Sequence, residues 1–357
     1  MKEYVWLHHL NIDYNKYPYL KSYKSVMGLW EFPVDRYSII EEGLGIPCAN
    51  LVPPAEFNLS NLTDDWKDRY FSALDSAADE IYRIADSIPG PNGRRTVTVL
   101  YSGGVDSLVA LVALQRHPSY QSFLDEGKFK LAMTNGSITE YPEFFYKEIL
   151  PKIPITALFF DQLMNDDDAL LVTGDMGDYT IGSSDSMALT GGDKTFDLMG
   201  SWETLIPYIK EKPFSDKFID IIQQAKKKEP FEIVSACQMF WWLSQCFSFQ
   251  DDFAKPYFWS NTNSLSSMPT NNKVYRFFYN KDITSVSYEY MSTNPIFKNY
   301  EDARIWPKEY IINHTGDESY KDKPKVYSQR STLRLMNKTQ IYIEDGVYKH
   351  TKTSEAI

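Results

Sequence analysis

Apolar residues between Trp66 and Ile84 recur as Trp66, Tyr70, Leu74, Ala77, Ile81 and Ile84. Steps of three and four place all six on one stripe and predict an amphipathic helix. Thr63 supplies a cap, Asp64 and Asp65 suit the first turn, and the run Pro89-Gly90-Pro91-Asn92-Gly93 ends the pattern. Thr96–Tyr101 is then a β-branched run suited to a buried strand, and 108–114 an apolar helix stopped by His117-Pro118. A second strand is expected at 130–134, a helix opened by Pro142 and running to about residue 150, a third strand at 155–160 and a fourth at 169–173. Strand alternating with helix predicts an α/β fold, a mainly parallel sheet flanked by helices.

The pattern divides the chain into three stretches. Residues 1–62 carry scattered aromatics and prolines and read as an irregular N-terminal extension; 63–200 hold the nucleotide-binding core argued below; 201–357 read as a mostly helical C-terminal part. Residues 184–200 lack periodicity and suit a mobile loop, whereas the aromatic segment 231–249, with Trp241 and Trp242, reads as core.

Composition narrows the classes. The 357 residues include 48 Asp plus Glu against 37 Lys plus Arg, a net charge of -11 that works against a nucleic-acid partner. Lys226-Lys227-Lys228 is accordingly read as a solvated face. No apolar run is long enough to span a membrane and no export signal opens the chain, so a cytoplasmic protein is expected, and the patterns at Asn58, Asn61 and Asn135 are read as chance matches to a glycosylation acceptor. Cys48, Cys237 and Cys246 form neither a disulfide framework nor a zinc-binding spacing.

The chemistry is concentrated in Ser102-Gly103-Gly104-Val105-Asp106-Ser107, between the first strand and the helix after it. Two glycines let the chain turn tightly, and a helix N-terminus offers unpaired N–H groups and a favourable dipole to an anion. Ser102 and Ser107 add hydroxyl donors, and a carboxylate at Asp106 beside a phosphate calls for a bridging divalent cation. There is neither the glycine gap nor the Lys-Ser/Thr pair of a Walker loop. A second glycine-bearing turn, Thr173-Gly174-Asp175-Met176-Gly177-Asp178-Tyr179, leaves the fourth strand, and strand ends of parallel sheets are where ligands bind.

The first segment resembles the PP-loop of the ATP pyrophosphatase superfamily, and the second resembles the Ser-Gly-Glu/Asp-Gly-x-Asp-Glu segment of the asparagine synthetase family, with Met176 and Tyr179 standing where that pattern carries Gly and Glu. The resemblance implies an adenine nucleotide alpha hydrolase-like fold and an AMP-forming amide synthetase using ATP and Mg2+. It implies that residues 102–107 hold the pyrophosphate, that Asp106 and Asp178 hold the metal, and that Asp175 faces the acyl-adenylate and the amine. Thr173 and Gly174 would line the adenine pocket, completed by the backbone of Tyr101 and Met133. Lys325, with Lys323 as the competing choice, would be the cation at the reacting phosphate. Glutamine-using members begin with Met-Cys, whereas Lys2 follows Met1 here. The likeness is therefore to stand-alone bacteriophage-type members, which take ammonia, another amine or nitrogen from a separate glutaminase. The partners implied are a small-molecule carboxylate and an amine. Two other readings remain: a PP-loop enzyme modifying a nucleobase or tRNA, and an inactive nucleotide-binding interaction protein.

Overall fold

The computed structural model describes residues 64–158, 160–181, 196–210, 215–248, 273–293, 297, 302 and 304–323, with short strand segments at 34–35, 49–50, 339–344 and 347–352. Thr63, Cys48, Lys325, most of the 1–62 extension and residues 184–195 of the expected loop lie outside these. The chain forms two compact units. One comprises 78–174, 273–275 and 308–357, and the other 1–77, 175–272 and 276–307.

The first unit is built on a sheet of five strands: β1 (Thr96–Tyr101), β2 (Phe129–Met133), β3 (Ile155–Ala157), β4 (Ala169–Thr173) and β5 (Val274–Arg276), in the order β3-β2-β1-β4-β5. The pairs β1–β2, β1–β4 and β2–β3 are parallel. This is the expected α/β class. Each of Val97, Thr98, Val99 and Tyr101 is buried, as a central strand covered on both faces requires. One face carries Ala132, Ala169, Leu171 and Val274 against Leu163, from a short helix at Phe160–Asn165. The helix after β1, α2 (Val105–Arg116), is buried from Ser107 through Leu114. Behind it stands the second half of α1 (Trp66–Ser87), whose Tyr82 hydroxyl donates to the Leu114 carbonyl at 3.0 Å.

Three expectations change. The third strand stops at Ala157, and Phe160 opens a helix instead of closing the strand. The helix from Pro142 lasts one turn and continues as a π-helix over Phe145–Ile149. The stretch beyond residue 201 also supplies a strand, β5, whose neighbour Lys273 accepts from the Leu171 N–H at 2.7 Å. Three residues carry too little alternation to register as a strand. The order reverses at β1: the chain runs β1, β2, β3 outward, then returns to β1's other side as β4.

The second unit is helical and aromatic. Helix α3 (Ala236–Leu243) is capped by Ser235, whose side chain accepts from the Gln238 N–H, and α4 (Lys281–Ser292) by Asn280, whose side chain accepts from the N–H groups of Asp282 and Ile283. Trp241 and Trp242 are fully buried, with Trp241 edge-on to Tyr288 at 4.7 Å, so the aromatic run packs a core as its composition implies.

Candidate functional site

Residues 102–107 lie where β1 leaves the sheet, and Gly174 where β4 leaves it. These strands are neighbours, with Leu100 in register with Thr173, and the strand order reverses between them. Such a switch point, outside the carboxyl ends of two parallel strands, is where open α/β sheets bind ligands. A Cβ on Gly174 would sit 2.6 Å from the Cα and 2.7 Å from the N of Ser107. Only glycine lets the end of β4 lie against the first turn of α2. The two glycine segments, 67 positions apart when counted from Ser107 to Gly174, thus meet at one point.

The loop is internally braced. Ser107 Oγ donates to the Gly104 carbonyl at 3.0 Å, accepts from the Ser102 N–H at 3.2 Å and lies 2.9 Å from Ser102 Oγ. Ser102 Oγ also accepts from the Gly104 N–H at 3.3 Å. Ser107 is buried and organises the loop, whereas half-buried Ser102 gives its proton to Ser107 and can turn it outward only by exchanging that bond for one to a ligand. Gly103 takes φ +83, in the left-handed region, and a Cβ there would stand 2.1 Å from the Ser137 carbonyl oxygen. Ser137 in turn donates from Oγ to the Tyr101 carbonyl at 2.9 Å. Sequence reasoning had passed over Ser137 except as part of a chance glycosylation pattern; a serine three residues after Thr134, at the end of a strand, is the signal that could have found it.

The first intrahelical bond of α2 runs from the Leu108 N–H to the Gly104 carbonyl at 3.0 Å, and Gly104 has no side chain with which to cap the helix. The N–H groups of the first turn therefore have no acceptor from the cap residue, as an anion site needs. Thr173 Oγ1, on the last residue of β4, is buried without a hydrogen-bond partner among the described residues. A buried hydroxyl left so is costly, and a ligand at the strand end is one way to satisfy it. Tyr101 and Met133 are in register at the ends of β1 and β2. Burial pushes the Tyr101 phenol well above its ordinary range, with Glu140 and Tyr141 adding to the effect, so it stays protonated.

The structure brings Tyr101, the six loop residues, Met133, Thr173 and Gly174 to the same end of one sheet. Asp175, exposed, and Asp178, half-buried, follow immediately in the chain but belong to the other unit. Asp178 sits in a single 3-10 turn, Gly177–Tyr179, preceded by Met176 at φ 77. Among the described residues, no three His, Cys, Asp or Glu side chains gather to hold a metal. A cation at Asp106 or Asp178 would complete its shell with ligand oxygens and water, which is the habit of Mg2+ rather than of zinc. Carboxylate oxygens such as those of Asp106 and Asp178 are the donor type that ion takes.

Lys323 lies at the end of a described segment. Its Nζ is 2.5 Å from Glu143 Oε2 and 4.3 Å from the centre of the Tyr141 ring, and it holds the Glu143 carboxyl below the usual range. Buried Lys308 donates to the carbonyls of Lys321 at 2.7 Å and Lys323 at 3.2 Å, tethering the chain just before Lys325. Cys237 is buried, and burial pushes its thiol up to about 12, so it offers no thiolate at neutral pH.

No protein-family model matches this chain, and no match was found among curated proteins or solved structures.

Proposed function

We propose that the protein is an ATP-dependent, AMP-forming amide synthetase of the asparagine synthase-like kind. The observation that carries this reading is the close approach of Gly174 to the Ser107 backbone at the strand-order reversal. It joins the phosphate-type loop to the turn leading into Asp175 and Asp178, the two segments on which the resemblance rests.

A substrate carboxylate oxygen attacks the α-phosphorus of ATP, the bond between that phosphorus and the α,β-bridging oxygen breaks, and pyrophosphate leaves. An amine then attacks the acyl carbon of the adenylate, loses a proton and displaces AMP. Mg2+ would supply charge neutralisation at the phosphates, and the resemblance gives Asp106 and Asp178 as the residues that would hold it. The first-turn amides of α2 and the Ser102 hydroxyl hold the departing pyrophosphate, Asp175 orients the amine or takes its proton, and Lys325 offsets charge at the α-phosphate. The chain's own contribution is positioning and charge stabilisation.

A screen of carboxylates crossed with amines, reading pyrophosphate release and identifying products by mass spectrometry, tests the proposal. At least one pair should yield an amide, AMP and pyrophosphate. Asp106→Ala and Asp178→Ala should each slow that turnover by about two orders of magnitude or more. Unchanged turnover in both variants would remove the mechanism, and ATP binding with no pyrophosphate across the panel would favour a nucleotide-binding protein without catalysis.

A further inference from the structure

Asp178 is carried by a turn whose conformation its own sequence does not favour. Met176 is the one non-glycine residue at positive φ among those described, and its side chain is buried. The left-handed region is costly for a residue with a Cβ, and such a conformation persists only where its surroundings over-determine it.

Those surroundings are specific. Within the turn, Tyr179 N–H donates to the Met176 carbonyl at 3.0 Å, and Thr180 Oγ1 donates to the Gly177 carbonyl at 2.8 Å. The carbonyls of Tyr179 and Thr180 are bonded by side chains from distant segments. Gln245 Nε2 donates to the Tyr179 carbonyl at 2.6 Å, and Ser287 Oγ donates to the Thr180 carbonyl. Ser287 is itself held by the Trp241 indole N–H at 3.0 Å. Trp241, Gln245 and Ser287 are all buried, and each belongs to the same unit as the turn. Trp241 and Gln245 are four residues apart on one continuous helical segment, so a single stripe feeds two successive carbonyls. That segment changes from α to π after Leu243, with Gln245 inside the π stretch Ser244–Ser248. A π insertion re-aims the side chains after it, and such insertions recur at functional sites.

We propose that Gln245 and the Trp241–Ser287 pair are positioning residues that lock the turn 176–180 and thereby fix the Asp178 carboxylate as a ligand for Mg2+. What Asp178 does there rests on the amide-synthetase reading; the lock itself does not. Asp178 is the residue that would touch the metal, and Gln245 and Ser287 act only through the main chain on either side of the following peptide.

The test uses the full chain with Gln245→Met, which keeps length but removes the amide donor, and Ser287→Ala as an independent second variant. Hydrogen exchange read by mass spectrometry should show at least tenfold faster exchange for amides of residues 177–181 in each variant, with the β1, β2 and β4 segments unchanged. Wild-type exchange at 177–181 in both variants overturns the lock. Calorimetric titration of ATP at varied Mg2+ gives the functional readout. In Gln245→Met the half-saturating Mg2+ concentration should rise at least fivefold, while ATP affinity at saturating Mg2+ stays within about twofold. An unchanged Mg2+ dependence overturns the positioning role, as does an equal loss at every Mg2+ concentration. If the wild-type chain binds no Mg2+-ATP, the amide-synthetase reading fails by itself, and the exchange result alone decides whether the lock exists.

Discussion

Replacing Gly174 by alanine tests the geometry of the site most directly, because the obstacle is main chain and cannot rotate away. The new Cβ would fall 2.6 Å from Ser107 Cα, 2.7 Å from Ser107 N and 2.9 Å from Asp106 C, where ordinary contact begins at 3.4 Å. Either β4 or the first turn of α2 must withdraw, and overpacking of this kind costs about 1–3 kcal/mol. Taking about 2–4 °C per kcal/mol for a unit of this size class, the melting temperature should fall by roughly 2–12 °C. Gly104→Ala is the control: its Cβ would meet only the Ser102 hydroxyl, at 3.4 Å, and its φ of -69 suits any residue. That variant should melt within about 2 °C of wild type, since it carries none of the mechanisms that give large losses. Gly103→Ala combines positive φ with a 2.1 Å collision against a carbonyl oxygen and should be the least stable of the three. Scanning calorimetry on all three variants checks the order. Equal melting temperatures for the Gly174 and Gly104 variants would refute the close packing of β4 on α2, and with it the meeting of the two glycine segments.

Ser137→Ala removes the donor to the Tyr101 carbonyl and should cost about 1–2 kcal/mol, read by chemical denaturation. His314 should make stability fall on mild acidification. Partial desolvation of this ring, which still reaches the surface, together with the positive charge of Arg116, lowers its folded pKa, so its penalty is absent above the unfolded pKa and grows as pH drops through the folded pKa. Melting curves between pH 7.5 and 5 should show a smaller drop for His314→Gln than for wild type, and an equal drop would remove this assignment. Lys323→Met should leave the fold within about 1 kcal/mol, because its partner Glu143 is largely exposed, so a large loss of turnover in that variant would point to Lys323 rather than Lys325 as the reacting cation.

Much of the five-stranded α/β unit was legible in near-neighbour patterns. The run Ala169–Thr173 is apolar but for its last residue and is bounded by turn residues, and it forms the strand expected of it. The first helix winds its apolar stripe as the three-and-four spacing requires, and the change from a β-branched run to Gly-Gly to an apolar helix marks the loop at 102–107. These are decisions made within a few residues, by steric limits on φ and ψ, by side-chain period and by unpaired helix-end amides.

Strand order, and what holds the turn at Asp178, were settled only when distant segments met. Nothing local to Val274–Arg276 marks it as the outer strand beside β4, because three residues show no period and pairing is a property of the neighbour. Gln245 reaches the Tyr179 carbonyl across 66 positions, and its donor role is invisible in an aromatic helix whose pattern reports only burial. The division between units also falls immediately after Gly174, inside a motif that looks continuous in the chain. Local chemistry determined which segments could turn, wind or extend; the tertiary structure decided which ends came together, because those contacts depend on the packing of the whole chain rather than on any one stretch of it.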